Sequence, residues 1–160
     1  RKRKGGTRIS VSPTRKALFD IPIIRKEIEN KGNQYSFEIV SKKKMRFNST
    51  DGLSVETIHK SNHLPYAFEK RWVSLKIAVG LDKVDLDTIS INEWLVTNIP
   101  ISTGTISFCA ETASEKENKL FNLKSNKALL IVNRETFITE DLVTKVRLSY
   151  PPAHKIKTKI

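Results

Sequence analysis

The sequence predicts an α+β domain, an antiparallel sheet with helices on one face. Three observations lead there. Strand-length runs from Leu129 to Ile138 and from Leu142 to Tyr150 are separated by only a short turn. Val55 to Val73 is built on a similar plan, so the chain holds two hairpins. Short helical patterns with capping residues stand among the strands, and nothing follows a parallel strand–helix–strand rhythm.

In chain order, the first 16 residues read as arm and linker, with Gly5-Gly6 and Pro13 as breakers. Ile23 to Lys31 reads as a helix: Ile24 and Ile28 are four apart and Gly32 supplies the stop. Tyr35, Phe37 and Ile39 alternate, which predicts a strand from Tyr35 to Val40. The charge run Lys42 to Lys44 fits a solvated loop or a strand edge. Ser54 to Lys60 and Leu64 to Val73 form a hairpin around Ser61-Asn62-His63, and Ser74 to Val84 is ambiguous. Ser90 to Thr97 reads as a helix with Ser90 as its cap and Glu93 at the capping-box position. Gly104 to Thr112 is a strand. Ser114 to Leu123 is a helix capped by Ser114, with Glu117 three residues on and Leu120 and Leu123 facing inward. The closing hairpin follows.

Composition bounds the function. The 160 residues, 38% of them apolar and two of them Trp, suffice for one domain with a real core. No run approaches the roughly 18 apolar residues of a membrane span. No apolar run follows the basic start, so no secretory signal is expected. The single cysteine, Cys109, cannot form an internal disulfide; its apolar neighbours Ile106, Phe108 and Ala110 suggest a buried strand residue, and a reducing cytoplasm fits. Net charge is +12, but residues 1–16 carry seven Lys or Arg and no acid, so the remainder carries an ordinary 12 − 7 = +5. Such an arm suits phosphate contacts or is a solvated tail. The chain begins without Met, which places its expected natural start upstream.

The first hairpin carries the most chemistry. A three-residue turn at Ser61 to His63 would pair Lys60 with Leu64, His59 with Pro65, Thr57 with Ala67 and Val55 with Glu69. Alternation then puts His59, Thr57, Glu69 and Arg71 on one face, and Ile58, Tyr66, Phe68 and Trp72 on the other. The apolar set is core. The polar set is either a solvated outer face or the lining of a pocket. In a pocket, Arg71 could grip a carboxylate bidentately, and His59 could donate or accept near neutral pH. Glu69 could orient Arg71 or accept from a ligand N–H. A one-residue slip would scatter the group.

Other sites are not supported. His59, His63 and His154 lack partners at ligand spacing, so no metal is expected, and no cofactor motif is present. Nothing resembles a nucleophile elbow. Glu115 and Glu117 at a helix start are explained by the helix dipole.

Three segments then carry a resemblance: ETIHKSNHLPYAFEKRWV, SEKENKLFNLKSNKALLIVNRETF and LVTKVRLSYPPAHKIKTKI. In that order they resemble the effector-binding (UTRA) domain of GntR-type transcription regulators, and within it the histidine-utilisation repressor branch. His59, Leu64-Pro65, Glu69 with Arg71, and Arg147-Leu148-Ser149-Tyr150-Pro151 match the motifs of that branch. The likeness covers roughly Ile21 to Lys157. RKRKGGTRISV is similar to the wing that ends the winged helix-turn-helix domain of these regulators.

The resemblance implies a chorismate-lyase-like fold, a homodimer, and a small metabolite bound in a cleft that alters DNA binding by an attached winged helix absent from this chain. It divides the chain into a wing remnant (1–11), a linker (12–20) and the effector-binding domain (21–160). Arg1, Lys2, Arg3, Lys4 and Thr7 would be DNA contacts of the wing. His59, Glu69, Arg71 and Thr57, with Arg147 and Tyr150 from the closing hairpin, would bind the effector. Sugar-phosphate sensors of the family use serines near the first helix and an Arg pair where this chain has Thr57 and His59. Here the helix start is Ile21-Pro22-Ile23-Ile24, which argues against a sugar phosphate. The branch effector is urocanate, an imidazole with a carboxylate, which such a face would suit. Two departures stand out: Lys42 to Leu53 is too short for the usual Leu-Gly-Leu helix and loop, and Asn122 stands where Gly is common. The expected protein is a cytoplasmic repressor domain without catalysis or membrane association. A chorismate-lyase-like enzyme and a basic nucleic-acid module are the alternatives.

Overall fold

The computed structural model describes residues 23–101, 103–124 and 127–157. The basic arm, with Arg1, Lys2, Arg3, Lys4 and Thr7, lies outside the described residues, as do the wing and linker boundaries drawn on it. The elements are α1 (Ile24–Glu29), β1 (Tyr35–Phe47), β2 (Thr50–Ser61), β3 (Leu64–Ser74), a short 3-10 turn (Leu81–Lys83), α2 (Ile91–Asn98), β4 (Thr103–Thr112), α3 (Glu115–Leu120), β5 (Ala128–Ile138) and β6 (Asp141–Tyr150).

The six strands form one sheet in the order β1-β2-β3-β6-β5-β4, antiparallel at every junction. Each half of the chain is a three-stranded meander, and the halves meet where β3 pairs β6. The two hairpins are therefore related positions in two similar halves.

Local rules account for the boundaries. Ile24 and Ile28 are buried one turn apart and anchor α1 in a cluster with Ala67, Val146, Leu148 and Tyr150. The helix is shorter than its apolar spacing suggests; the chain turns through Asn30 and leaves by Gly32 at φ 75°. Ser90 and Ser114 cap α2 and α3 in complete capping boxes with Glu93 and Glu117. Asn122, which follows α3, has a positive φ of 50°, a conformation Asn tolerates better than other side chains, so it stands in for the common Gly.

The first strand differs from expectation. It runs through the charge run to Phe47, with a bulge between Ile39 and Ser41. Asn48 and Ser49, both at positive φ, then turn directly into β2. That tight hairpin replaces the missing helix and loop. The exposed Lys42, Lys43 and Lys44 line an outer edge strand. Gly52 lies under Trp72, where an added Cβ would stand 2.2 Å from the indole nitrogen, so only Gly lets the ring lie flat there.

The expectation of helices on one face holds for α1 and α2. Leu53, Val55, Val73 and Val143 pack with Leu86, Ile91 and Leu95 of the α2 region, and the α1 cluster lies beside them on the same side of the sheet. α3 lies against the reverse side, where Ala113, Leu129 and Ile131 gather Phe121 and Leu123. Cys109 is exposed rather than buried, because β4 is an edge strand with no buried position along its length. No helix among the described residues is long and apolar enough to cross a membrane.

Candidate functional site

The first hairpin reaches its expected faces by a different register. Its turn has two residues, Asn62 and His63, both at positive φ. That alone would slide each β2 residue by one and put His59 opposite Tyr66. A bulge between His59 and Lys60 adds a second slip in the same direction. The result pairs His59 with Ala67, Thr57 with Glu69 and Val55 with Arg71, two residues from the expected register. Strand side chains repeat every two residues, so a two-residue slip preserves the face.

That face is buried, as is the apolar one with Ile58, Phe68 and Trp72. His59 is 3% exposed, Glu69 4% and Arg71 2%, which removes the solvated outer face as an explanation. The α1 and α2 side of the sheet is apolar on both flanks, and the ionic cluster lies between.

The cluster is tightly bonded. Arg71 Nε donates to Glu69 Oε1 at 2.6 Å and Arg71 Nη2 donates to Oε2 at 3.0 Å, a bidentate pair within one strand. Arg71 Nη2 also donates to Asn92 Oδ1 at 3.1 Å. His59 Nε2 stands 3.6 Å from Glu69 Oε2, close enough for charge attraction when the ring is protonated but too long for a hydrogen bond. On its other side, His59 Nδ1 shares a hydrogen bond of 2.9 Å with the Tyr35 hydroxyl. Burial pushes the Glu69 carboxyl up, but Arg71 and His59 outweigh it and hold Glu69 well below the usual carboxylate range. The balance favours the ionised carboxylate.

A second guanidinium completes the site. Arg134 of β5, 7% exposed, donates from Nη2 to the same Asn92 Oδ1 at 2.8 Å. Burial, with Arg71 nearby, lowers its pKa from 12.5 to about 10. Sequence reasoning passed over Arg134 because it looked to Arg147 and Tyr150 for the closing hairpin's share of the site. The signal was there: Arg134 falls opposite Val146 and in phase with the buried Val132, a charge on an apolar face. Asn92 was also missed, since an Asn near a helix start reads as a local cap residue.

Small spaces remain. A cavity of about 10 Å³, room for one water at most, is lined by Ile24, Tyr35, His59, Glu69, Asn92 and Arg134, among others. Within the cluster, three buried nitrogens have no hydrogen-bond partner among the described residues: His59 Nε2, Arg71 Nη1 and Arg134 Nε.

Of the other expected residues, Thr57 lies beside this group and Tyr150 and Arg147 lie apart from it. Thr57 is buried on the same face, paired with Glu69. Tyr150 lies on that face too, but stacks on His154 at 4.0 Å within the α1 cluster. Arg147 points to the reverse side. Its Nη1 donates to Glu117 Oε1 at 2.7 Å and Ser149 Oγ at 2.6 Å, and its Nη2 donates to Glu111 Oε2 at 2.7 Å. The alternation of β6 separates Arg147 from Val146 and Leu148, so it fastens α3 to the sheet and is not brought to the cluster. Among the described residues, no group of His, Cys, Asp or Glu is placed to hold a metal ion.

Comparison with known proteins fits this architecture. The profile of the UTRA domain matches residues 42–157. The chain belongs to the UTRA domain family. The histidine utilization repressor of Pseudomonas putida is 25% identical to it over 157 residues, an alignment covering 91% of this chain and 63% of the repressor. The chain thus spans under two thirds of that relative's length. The C-terminal domain of the histidine utilization repressor from Pseudomonas syringae pv. tomato superposes with a TM-score of 0.73 at 19% identity, over 79% of this chain and 99% of that one. A GntR-family regulator from Bacillus cereus superposes with a TM-score of 0.67 at 13% identity, over 79% of this chain and 98% of that one. These relatives are a repressor and regulators of transcription.

Proposed function

We propose that this UTRA domain senses a small carboxylate of the urocanate type and transmits its binding to an attached winged helix. The observation that carries the proposal is the ionic cluster of His59, Glu69, Arg71, Asn92 and Arg134 inside an otherwise apolar layer. Charges are costly to bury, and cores retain them with unspent donors where a partner is to be met. An imidazole-carboxylate meets both halves of the cluster. Its ring N–H can donate to Glu69, its ring nitrogen can face His59, and its carboxylate can take the guanidinium side. Thr57 lies beside Glu69 on the same strand face, while Tyr150 braces α1 from outside the contact shell.

The cavity of about 10 Å³ is too small for such a ligand, so binding selects a state in which α1 and the start of α2 stand further from the sheet. A shift of those helices is the change a DNA-binding neighbour can read. The similarity to histidine utilization repressors supports both the ligand class and the DNA-binding role of the whole protein. Pairing with a second copy is part of the proposal. The β4 edge supports it: unlike β1 it carries no Lys or Arg, and it presents Phe108 at 53% exposure.

Thermal unfolding of this chain with millimolar urocanate, imidazole-propionate or histidine tests the sensing role. A rise of about 5 °C with urocanate is expected; no rise with any of the three would sink it. Light scattering tests pairing: a dimer is expected, and Phe108→Lys should shift it toward monomer.

A further inference from the structure

We propose that Arg134, rather than Arg71, is the anchor for the ligand's carboxylate, and that the ligand is a monoanion. The inference rests on the effector-sensing role above and specifies which guanidinium it uses.

The two arginines are held alike and completed differently. Both donate from Nη2 to the single oxygen Asn92 Oδ1, at 3.1 Å from Arg71 and 2.8 Å from Arg134. On Arg71 the neighbouring Nε is taken by Glu69 at 2.6 Å. On Arg134 the neighbouring Nε is buried and has no protein partner. A carboxylate placed on Arg134 would complete it as Glu69 completes Arg71. Position agrees: Arg134 borders the cavity and Arg71 does not. The other cation on the cavity wall, Arg25, is already paired with Glu93 at 2.7 Å. Among the described residues, Arg134 is therefore the one Arg or Lys on that wall without a carboxylate partner.

Charge counting sets the ligand class. The buried cluster sets two guanidiniums, Arg71 and Arg134, against one carboxylate, Glu69, an excess of one positive charge. A single carboxylate balances it, whereas a dianionic phosphate ester would leave an excess of negative charge in a dry site. Asn92 contributes specificity indirectly, by holding both guanidiniums in register on one acceptor. Sequence inspection could not pair Arg134 with His59 and Glu69, because β6 separates β5 from Glu69 on β3, and β6 and β3 separate it from His59 on β2.

The test uses three variants of the chain, Arg134→Met, Arg134→Gln and Arg134→Lys, with urocanate, its uncharged methyl ester and a panel of simple carboxylates (propionate, benzoate, imidazole-acetate). The wild type should be stabilised by about 5 °C with urocanate and by under about 1 °C with the ester. Arg134→Gln and Arg134→Met should lose the urocanate shift, and Arg134→Lys should keep part of it. A second measurement needs no ligand. Removing an unpaired buried charge relieves the empty protein, so Arg134→Met should melt higher than wild type by a few degrees (about 2–4 °C) in carboxylate-free buffer. An Arg134→Gln protein that keeps the full urocanate shift would overturn the proposal, as would an Arg134→Met protein that melts well below wild type. If urocanate fails but another carboxylate stabilises the wild type and not Arg134→Gln, the anchor stands and the urocanate assignment falls. If no carboxylate stabilises the wild type, the sensing role falls and the anchor falls with it.

Discussion

Two arginine–glutamate clusters sit on opposite sides of this sheet, and they differ in how they are finished. On the reverse side, Arg147 faces two carboxylates, Glu117 and Glu111, and Ser149 donates to Glu117 at 2.5 Å. Arg147 has carboxylates on both its terminal nitrogens. On the helix-covered side, one carboxylate serves Arg71 through Nε and Nη2, while Arg71 Nη1, Arg134 Nε and His59 Nε2 stay unspent. The first arrangement is a rivet that holds α3. The second has donors left over. An ionic cluster by itself says little about function; its remaining valence says more.

The sharpest break of this comparison is Arg71→Ala. It leaves Glu69 ionised and buried with no guanidinium, which should cost about 3–5 kcal/mol in denaturant unfolding. The equivalent cut on the reverse side should cost less, because Arg147 is partly solvated. Glu117→Gln keeps the capping geometry and removes the charge; about 1–2 kcal/mol is expected, with the ligand shift unchanged.

Acid separates the two clusters further. Burial raises the Glu117 pKa, but hydrogen bonds from Arg147, Ser114 and Ser149 outweigh it and lower the value from 4.5 to about 2. A depressed carboxylate stabilises the fold above its unfolded pKa and loses that contribution as pH falls through the folded one. The Glu117 share therefore fades between about pH 4.5 and about pH 2. Glu69, held lower still, keeps its share into stronger acid. Denaturant titrations at about pH 5 and about pH 2.5 should show a smaller loss in Glu117→Gln than in wild type; equal losses would break the assignment.

The smallest effects come from the twin caps. Ser90→Ala and Ser114→Ala should each cost about 1 kcal/mol. Only Ser90→Ala should weaken the ligand shift, because Ser90 starts the helix that places Asn92. Calorimetric titration of both variants checks the difference.

Much of the frame was legible in the chain. Alternation located the strands, and Ser-x-x-Glu located the starts of α2 and α3, because these signals act within a few residues. The polar face of His59, Thr57, Glu69 and Arg71 was legible for a less secure reason. The two-residue turn and the bulge each moved the register by one, and their sum restored the phase. Either irregularity alone would have sent His59 to the other face. Arg147 shows the same rule failing: its motif position suggested the cleft, but its phase in β6 turned it to the reverse side.

By itself the sequence determined the element order, the caps and which side chains could share a strand face, since all of these follow from spacing along the chain. Tertiary structure decided that the polar face was buried and which residues met there. Burial depends on where α1, α2 and α3 settle, and Arg134 reaches Asn92 and the first hairpin only because β6 lies between β3 and β5. Distances across a sheet are set by strand order, which no local period records.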